Sequence, residues 1–565
     1  MAEELENCST INLPSRPSLV TAIRFRRKEI HVKHLGHSRR DIIPRRRFLE
    51  RSALGTAALA LGPTAAFERP NGAVAGKRPN LIYVFADQLR YLSCGYAGDK
   101  RAHTPNIDRL AAGGASFQNC VSMTPVCSAY RASLMTGKYT TTTGMVINEL
   151  RLSPEHECFG HALTRAGYAT GYIGKWHLWA NQLGRHDDDR NAFTPPGPYR
   201  LGFDGYWAAY NFHHQNYSGY YYTDRPEKTR YRRPGVERPF EPDAQTDMAI
   251  DFLNGAARDD APFSLFLSYG TPHDPWGWDN CPTDFSDMFR DVRFPGAPNF
   301  SAVQDPYADG WGTMGQRYLN DLQQYQQGYY AMTANLDWNI GRLIDAVRKS
   351  GELDNTILVF TSDHGEMFGA HGRRAKNIFY DEAARVPFLV HWPDGISPGT
   401  VSDACLNTPD IMPTVLGLMG LPVPDAAEGM DLSRCALAQE GPEPEAALMQ
   451  NTGACAAWQD GYEWRALRDK QFTYAIYRKD NSELLFDNRN DPYQMHNLFA
   501  DKAHAERLEH YRQMLQRRMR ELNDDFACCT WYRDQWTLDR NILRGAKGGR
   551  HDLESLAEIV RKQFD

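Results

Sequence analysis

The chain has 565 residues, 42% of them hydrophobic and 24% charged, which is enough apolar material for a large interior and too much length for one small core. Its net charge of −6 is unevenly spread: residues 1–75 carry 13 Lys and Arg against 7 Asp and Glu, and the remainder 51 against 63. An acidic body argues against nucleic acid as a partner, and no run reaches the roughly 18 apolar residues of a stable membrane span.

In chain order, the first feature is Arg45-Arg46-Arg47-Phe48-Leu49-Glu50, followed by a weakly apolar run over 53–61 and by Ala73-Val74-Ala75. A basic region, a short apolar region and a small-x-small site form a twin-arginine export pattern. This predicts a leader over 1–75 and a periplasmic or secreted mature chain; a disordered basic arm is the bland alternative. The ten cysteines beyond it are irregularly spaced, with no disulfide framework and no zinc-like pairs. Leaving Cys127 aside, their number is odd, so at least one thiol is free.

Asn80–Ala86 is a short apolar run ending in Asp87, the profile of a buried central strand. Residues 263–269 and 356–361 read the same way. Between those two, Met332, Leu336, Ile340, Leu343, Ile344 and Val347 recur at helical spacing, with Gly351 as the stop. Alternating helices and buried strands predict an α/β fold, a large mostly parallel sheet covered by helices on both faces, with ligands at the carboxyl ends of its strands. After a Gly- and Pro-rich connection over 417–431, the segments 464–468, 472–477 and 483–487 predict a small antiparallel sheet, and 503–522 a helix. The expected organisation is therefore a body over 76–455 and a C-terminal subdomain with tail over 456–565. The tail holds Cys528, Cys529, Trp531 and Trp536, enough apolar surface to pack on the body or on a partner.

The strand ends carry the chemistry. Asp87-Gln88 closes one and Asp363-His364-Gly365-Glu366 another, and such distant carboxylates converge only through the fold, as a hard-cation site requires. Oxygen donors with one His nitrogen suit Ca2+ or Mg2+. An isolated strand-end Asp more often caps the next helix. Gly174-Lys175-Trp176-His177 puts a Lys and a His on one side of a strand, His273 and Asp274 follow the 263–269 run, and Lys376 lies beyond Asp363. Singly these read as a salt-bridged Lys, a turn His and a solvated Lys. Cys127 opens Cys127-Ser128-Ala129-Tyr130-Arg131-Ala132-Ser133-Leu134-Met135-Thr136-Gly137, which reads as a helix start stopped by Gly137, with the Cys near a positive helix end. Read alone, Cys127 could equally be a buried free thiol.

Together with Thr104-Pro105-Asn106-Ile107-Asp108-Arg109-Leu110 and Tyr380-Asp381-Glu382-Ala383-Ala384-Arg385-Val386-Pro387, these segments resemble the type I sulfatases of the alkaline phosphatase superfamily, over about residues 79–501. The resemblance implies that a maturation enzyme oxidises Cys127 to formylglycine, which is hydrated and attacks sulfur to give a covalent sulfo-enzyme. It implies a divalent cation, usually Ca2+, held by Asp87, Gln88, Asp363, His364 and the oxygen at position 127. Arg131, Lys175 and Lys376 would hold sulfate oxygens, His273 would protonate the leaving alkoxide, and His177 would act as base. Two positions depart from the usual pattern. Gln88 stands where most members have a second Asp and brings one charge less, and Ala129 stands where many have Pro.

The aromatic, His-rich stretch over 202–222 predicts a sugar subsite lined by His213 and His214, with Asp274, Trp276 and Trp278 as the opposite wall, although most of its rings would simply fill the core. The expected substrate is a sulfated carbohydrate. The alternatives are an aryl or alkyl sulfate, a phosphodiester or phosphonate monoester, and a non-catalytic sulfated-glycan binder.

Overall fold

A computed structural model describes residues 77–179, 188–256, 261–538 and 540–542. The expected export leader over 1–75 and the chain beyond 542 lie outside the described residues.

Eight strands form the main sheet: β1 (Asn80–Ala86), β2 (Ala115–Phe117), β3 (Ala169–Lys175) and β4 (Tyr206–Tyr210), then, past a short β5 (Tyr220–Tyr221) and β6 (Thr229–Arg230) pair, β7 (Phe263–Ser268), β8 (Thr356–Ser362), β9 (Phe388–His391) and β10 (Thr400–Ser402). Their order is β10-β2-β9-β8-β1-β7-β3-β4, and only β9 runs antiparallel to its neighbours. The period-two pattern of β1 explains why the sheet is covered twice. Leu81, Tyr83 and Phe85 enter one hydrophobic core, and Ile82, Val84 and Ala86 the other. Each fully buried large side chain contributes about 1.5–3 kcal/mol.

The second core rests on the helix Gln316–Ser350, whose 35 residues extend about 50 Å. It stops where Gly351 turns left-handed, at φ 78°, and donates its N–H to the Arg348 carbonyl. Register then brings the strand ends level. Ala86 pairs with Ser362, Phe85 with Ser268, and Ser268 with Gly174, so Asp87, Asp363 and Lys175 emerge together at one edge.

The small antiparallel sheet is β11 (Ala447–Asn451), β12 (Trp464–Arg468), β13 (Phe472–Tyr477) and β14 (Glu483–Asp487), backed by the helix Ala505–Glu521. It begins before the boundary expected at 455, because β11 pairs along its whole length with β12. β11 is also tied to the segment leading to Cys127: Gln450 N–H donates to the Met123 carbonyl at 2.8 Å, and the Thr124 hydroxyl to the Gln450 carbonyl at 2.9 Å. The tail packs on the body, where Cys529, Tyr532, Trp536 and Ile542 join the first core.

The ten cysteines of the described residues are free. Among these residues no helix is long and apolar enough to cross a membrane.

Candidate active site

Cys127 is the first residue of the helix Cys127–Thr136, which Gly137 ends at φ 64°. Its preceding residue, Val126, offers no side-chain cap, and the cap comes from far away: the Asn148 side-chain oxygen accepts the Ser128 N–H at 3.0 Å. The Cys127 sulfur is buried 3.1 Å from Lys376 Nζ, 3.2 Å from His364 Nε2 and 3.7 Å from Asp87 Oδ1. Burial pushes its pKa up, but Lys175, Lys376 and His364, with a hydrogen bond from His177, outweigh burial and hold it well below the usual thiol range.

Ligand atoms of Asp87, Cys127, Asp363 and His364 lie within 4.8 Å of one another, all buried. His364 Nδ1 is 3.0 Å from the Gly365 carbonyl, which accepts its N–H and so turns Nε2 toward the cluster. Burial opposes ionisation of both carboxylates. The Lys175 ammonium, 2.6 Å from Asp87 Oδ2, nevertheless holds Asp87 well below its ordinary range, whereas burial and the neighbouring Asp87 charge raise Asp363. Two converging carboxylates, an oriented imidazole and an amide oxygen beside them make a donor set that fits a hard divalent cation.

The amide oxygen belongs to Gln88, and a neighbour explains why an amide stands there. Gln88 Nε2 donates to the buried Glu366 carboxylate at 2.7 Å, which turns Oε1 toward Lys376 Nζ, 3.1 Å away. A carboxylate at 88 would face Glu366 with no donor. Glu366 in turn accepts the N–H groups of Phe368 and Ala375.

Arg131, expected to hold a sulfate oxygen, is engaged by its neighbours. Its Nη1 donates to the Lys175 carbonyl at 2.6 Å and to Ser268 Oγ at 2.8 Å, and its Nη2 to Asp87 and Asp363 at 3.3 and 3.4 Å. With both terminal nitrogens committed, it holds the two carboxylates in place. His177 is not on the strand with Lys175: β3 ends at Lys175, and His177 sits beyond it at φ 56°. Its Nε2 is 2.9 Å from Glu149 Oε1.

His273 is wedged between Asp274, 3.0 Å from its Nδ1, and Lys376 Nζ, 3.1 Å from its Nε2. Burial and Lys376 push its pKa down, while Asp274 and Asp87 push it up and prevail, to about 9. His214 stacks flat on His273 at 3.8 Å, and neither of its ring nitrogens has a hydrogen-bond partner among the described residues. Burial, then His273 and Lys175, drive its pKa well below the imidazole range, so the ring is neutral.

The expected sugar wall needs correcting. His213 stacks on Tyr210, with Nε2 against the Tyr220 carbonyl at 3.0 Å and Nδ1 3.5 Å from Glu241, so its nitrogens serve the insertion itself. Trp276 is a core residue, buried among Tyr325, Tyr329 and Phe368, its indole N–H on the Pro272 carbonyl. Trp278 lies under the Arg290 guanidinium. Asp274 is half-exposed and orients His273.

Asn148 and Glu149 went unpredicted, and Glu366, though part of the Asp363 strand-end motif, was given no role. Asn148-Glu149 belongs to no motif, and the only available signal was chemical: a buried His acting as base needs an acceptor to fix its ring.

The sulfatase family model matches residues 79–421, more than half of the chain, and the model described as N-sulphoglucosamine sulphohydrolase, C-terminal, matches 369–524. An ulvan-active sulfatase of Formosa agariphila is 38% identical over 463 residues, spanning 80% of this chain and 84% of the relative. An N-acetylglucosamine-6-O-sulfatase of Bacteroides thetaiotaomicron is 27% identical, over 80% and 88%. A sulfatase structure from Bacteroides fragilis, 28% identical, superposes with a TM-score of 0.69 and covers 82% of this chain and 99% of its own. The likeness thus runs along most of the chain, which belongs to the sulfatase family and is a sulfuric ester hydrolase.

Proposed function

We propose that the protein removes sulfate from a sulfated carbohydrate, using formylglycine made from Cys127 by a maturation enzyme, with Ca2+ as the preferred cation. The observation that carries this reading is the position of the Cys127 Sγ, 3.1 Å from Lys376 and 3.2 Å from His364, in a buried cluster that also brings Lys175 against Asp87. Two lysines at one point suit a nucleophile that must meet an anion. The matching names, ulvan-active sulfatase and N-acetylglucosamine-6-O-sulfatase, support a carbohydrate substrate. The twin-arginine pattern at Arg45-Arg46 supports export to the periplasm or beyond.

Asp87, Gln88, Asp363 and His364 would hold the cation, which when bound supplies positive charge against a sulfate oxygen. Formylglycine supplies, as its hydrate, an oxygen nucleophile with a second hydroxyl. Lys175 and Lys376 take the remaining sulfate oxygens. His273, protonated below about pH 9, donates to the leaving sugar oxygen. His177, held by Glu149, accepts the proton of the second hydroxyl. The neutral His214, stacked behind His273, can hydrogen-bond a sugar hydroxyl beside the leaving oxygen.

The test is a panel of sulfated monosaccharides, 4-nitrophenyl sulfate, and phosphodiester and phosphonate monoesters, run with the wild type and Cys127→Ala. Highest kcat/KM on a sulfated sugar supports the reading. A higher value on a phosphonate or phosphodiester overturns it.

A further inference from the structure

Among the described residues, the C-terminal tail grips the Asn148–Glu149 backbone through the Arg540 side chain. β15 (Thr537–Leu538) and β16 (Asn541–Ile542) form a short hairpin, and Arg540 stands in its turn at φ 63°. The Arg540 side chain turns inward. Nε donates to the Glu149 carbonyl at 2.7 Å, and Nη2 to the Asn148 carbonyl at 2.8 Å and the Ala456 carbonyl at 3.2 Å. One guanidinium therefore ties three backbone oxygens, using the planar donor fork that a Lys lacks. The hairpin is anchored on both sides: Arg151 N–H donates to the Arg540 carbonyl at 3.1 Å, and Trp536 and Ile542 pack over Gly144.

The two residues under this clamp are the ones whose side chains serve the reaction from outside the motifs. Asn148 caps the helix that begins at Cys127, and Glu149 fixes the His177 ring. Glu149 is held at φ 62°, a left-handed conformation that strains a non-glycine residue and persists only where its surroundings impose it. Its backbone oxygen is one of the three that Arg540 grips. The clamp, the strain and the two active-site side chains thus fall on the same dipeptide.

We propose that Arg540 is a positioning residue of the sulfatase: through Asn148 and Glu149 it sets the helix of Cys127 and the ring of His177, so that the tail completes the active site. This rests on the reading of His177 as base, and the experiment separates the two claims.

Full-length wild type, Arg540→Ala, Arg540→Lys, Glu149→Gln, the Arg540→Ala/Glu149→Gln double variant and His177→Ala are assayed on 4-nitrophenyl sulfate, with thermal melting of each. Arg540→Ala is expected to lower kcat by about 10- to 100-fold with KM within about twofold, since a displacement of roughly 1 Å carries that cost. Arg540→Lys recovers part of the loss. In the Glu149→Gln background the same Arg540→Ala change costs less than it does in the wild type, because one of the two paths it acts through is already cut. Equal losses in both backgrounds, a change confined to melting temperature or KM, or no loss at all would overturn the proposal. If His177→Ala keeps full kcat, the base assignment fails, whatever Arg540 does.

Discussion

The strand-end cluster around Cys127 and the aromatic insertion that follows β4 meet at His273, yet they use their polar groups in opposite ways. In the cluster, Arg131, Gln88 and Glu366 are committed to neighbours so that Asp87, Asp363, His364 and the two lysines keep one side turned toward a common centre. In the insertion the groups satisfy one another. His213 is used up by Tyr220 and Glu241, and Tyr222 bonds Asp189. Among the described residues of the insertion, His214 is the one that presents free ring nitrogens, beside His273. The contrast separates a site from a scaffold rich in similar residues: a site leaves charge and hydrogen-bonding capacity uncompensated at one point, which costs stability unless a ligand arrives.

The comparison breaks first at Cys127. Cys127→Ala should lower kcat by more than about 10⁴-fold, as removal of a nucleophile does, with the melting temperature nearly unchanged. Next come the lysines: Lys175→Ala and Lys376→Ala should each cost about 10²–10³-fold in kcat/KM, the range for a lost charge stabiliser. Removing divalent cations with a chelator should abolish turnover and lower the melting temperature, with Ca2+ restoring both. Gln88→Glu sets a second buried carboxylate against Glu366 and should cost about 2 kcal/mol in urea unfolding of the chelated protein. Because Asp274 and Asp87 hold the His273 pKa up at about 9, its acid form is present below that pH and lost above it, so kcat/KM should fall as pH rises through about 9. His273→Ala should remove that limb. Smallest is the contrast inside the insertion, where His214→Ala should raise KM for a sugar sulfate several-fold and leave 4-nitrophenyl sulfate little changed. His213→Ala should instead lower stability by about 1–3 kcal/mol and leave KM alone.

The sheet was legible because β1, β7 and β8 are buried on both faces and so read as unbroken apolar runs ending in polar residues. Asp87, Cys127, Lys175, Asp363 and His364 stood out for the same reason, since a strand or helix end fixes where its next residue goes, whereas Lys376 lies in the loop beyond β8 and was reached only through the resemblance to the sulfatases. His177 was found but its geometry was not, because a left-handed residue just past a strand cannot be told from the strand's continuation by spacing. Trp276 and His213 were misassigned: composition reveals an aromatic-rich segment but not which rings face inward, and that is settled by the helix Gln316–Ser350 and by Glu241, both distant in sequence. Asn148, Glu149 and Arg540 carry no local pattern at all. Their meaning lies in hydrogen bonds from the Arg540 side chain to backbone carbonyls hundreds of residues away in sequence.

The most direct test of the account is the mass of the Met123–Lys138 peptide in protein made with a formylglycine-generating enzyme, read against sulfate release by the same preparation. The account predicts that position 127 has lost its sulfur for an aldehyde oxygen, and that sulfate release rises in proportion to the converted fraction. Full activity from protein whose Cys127 remains an intact thiol would contradict it.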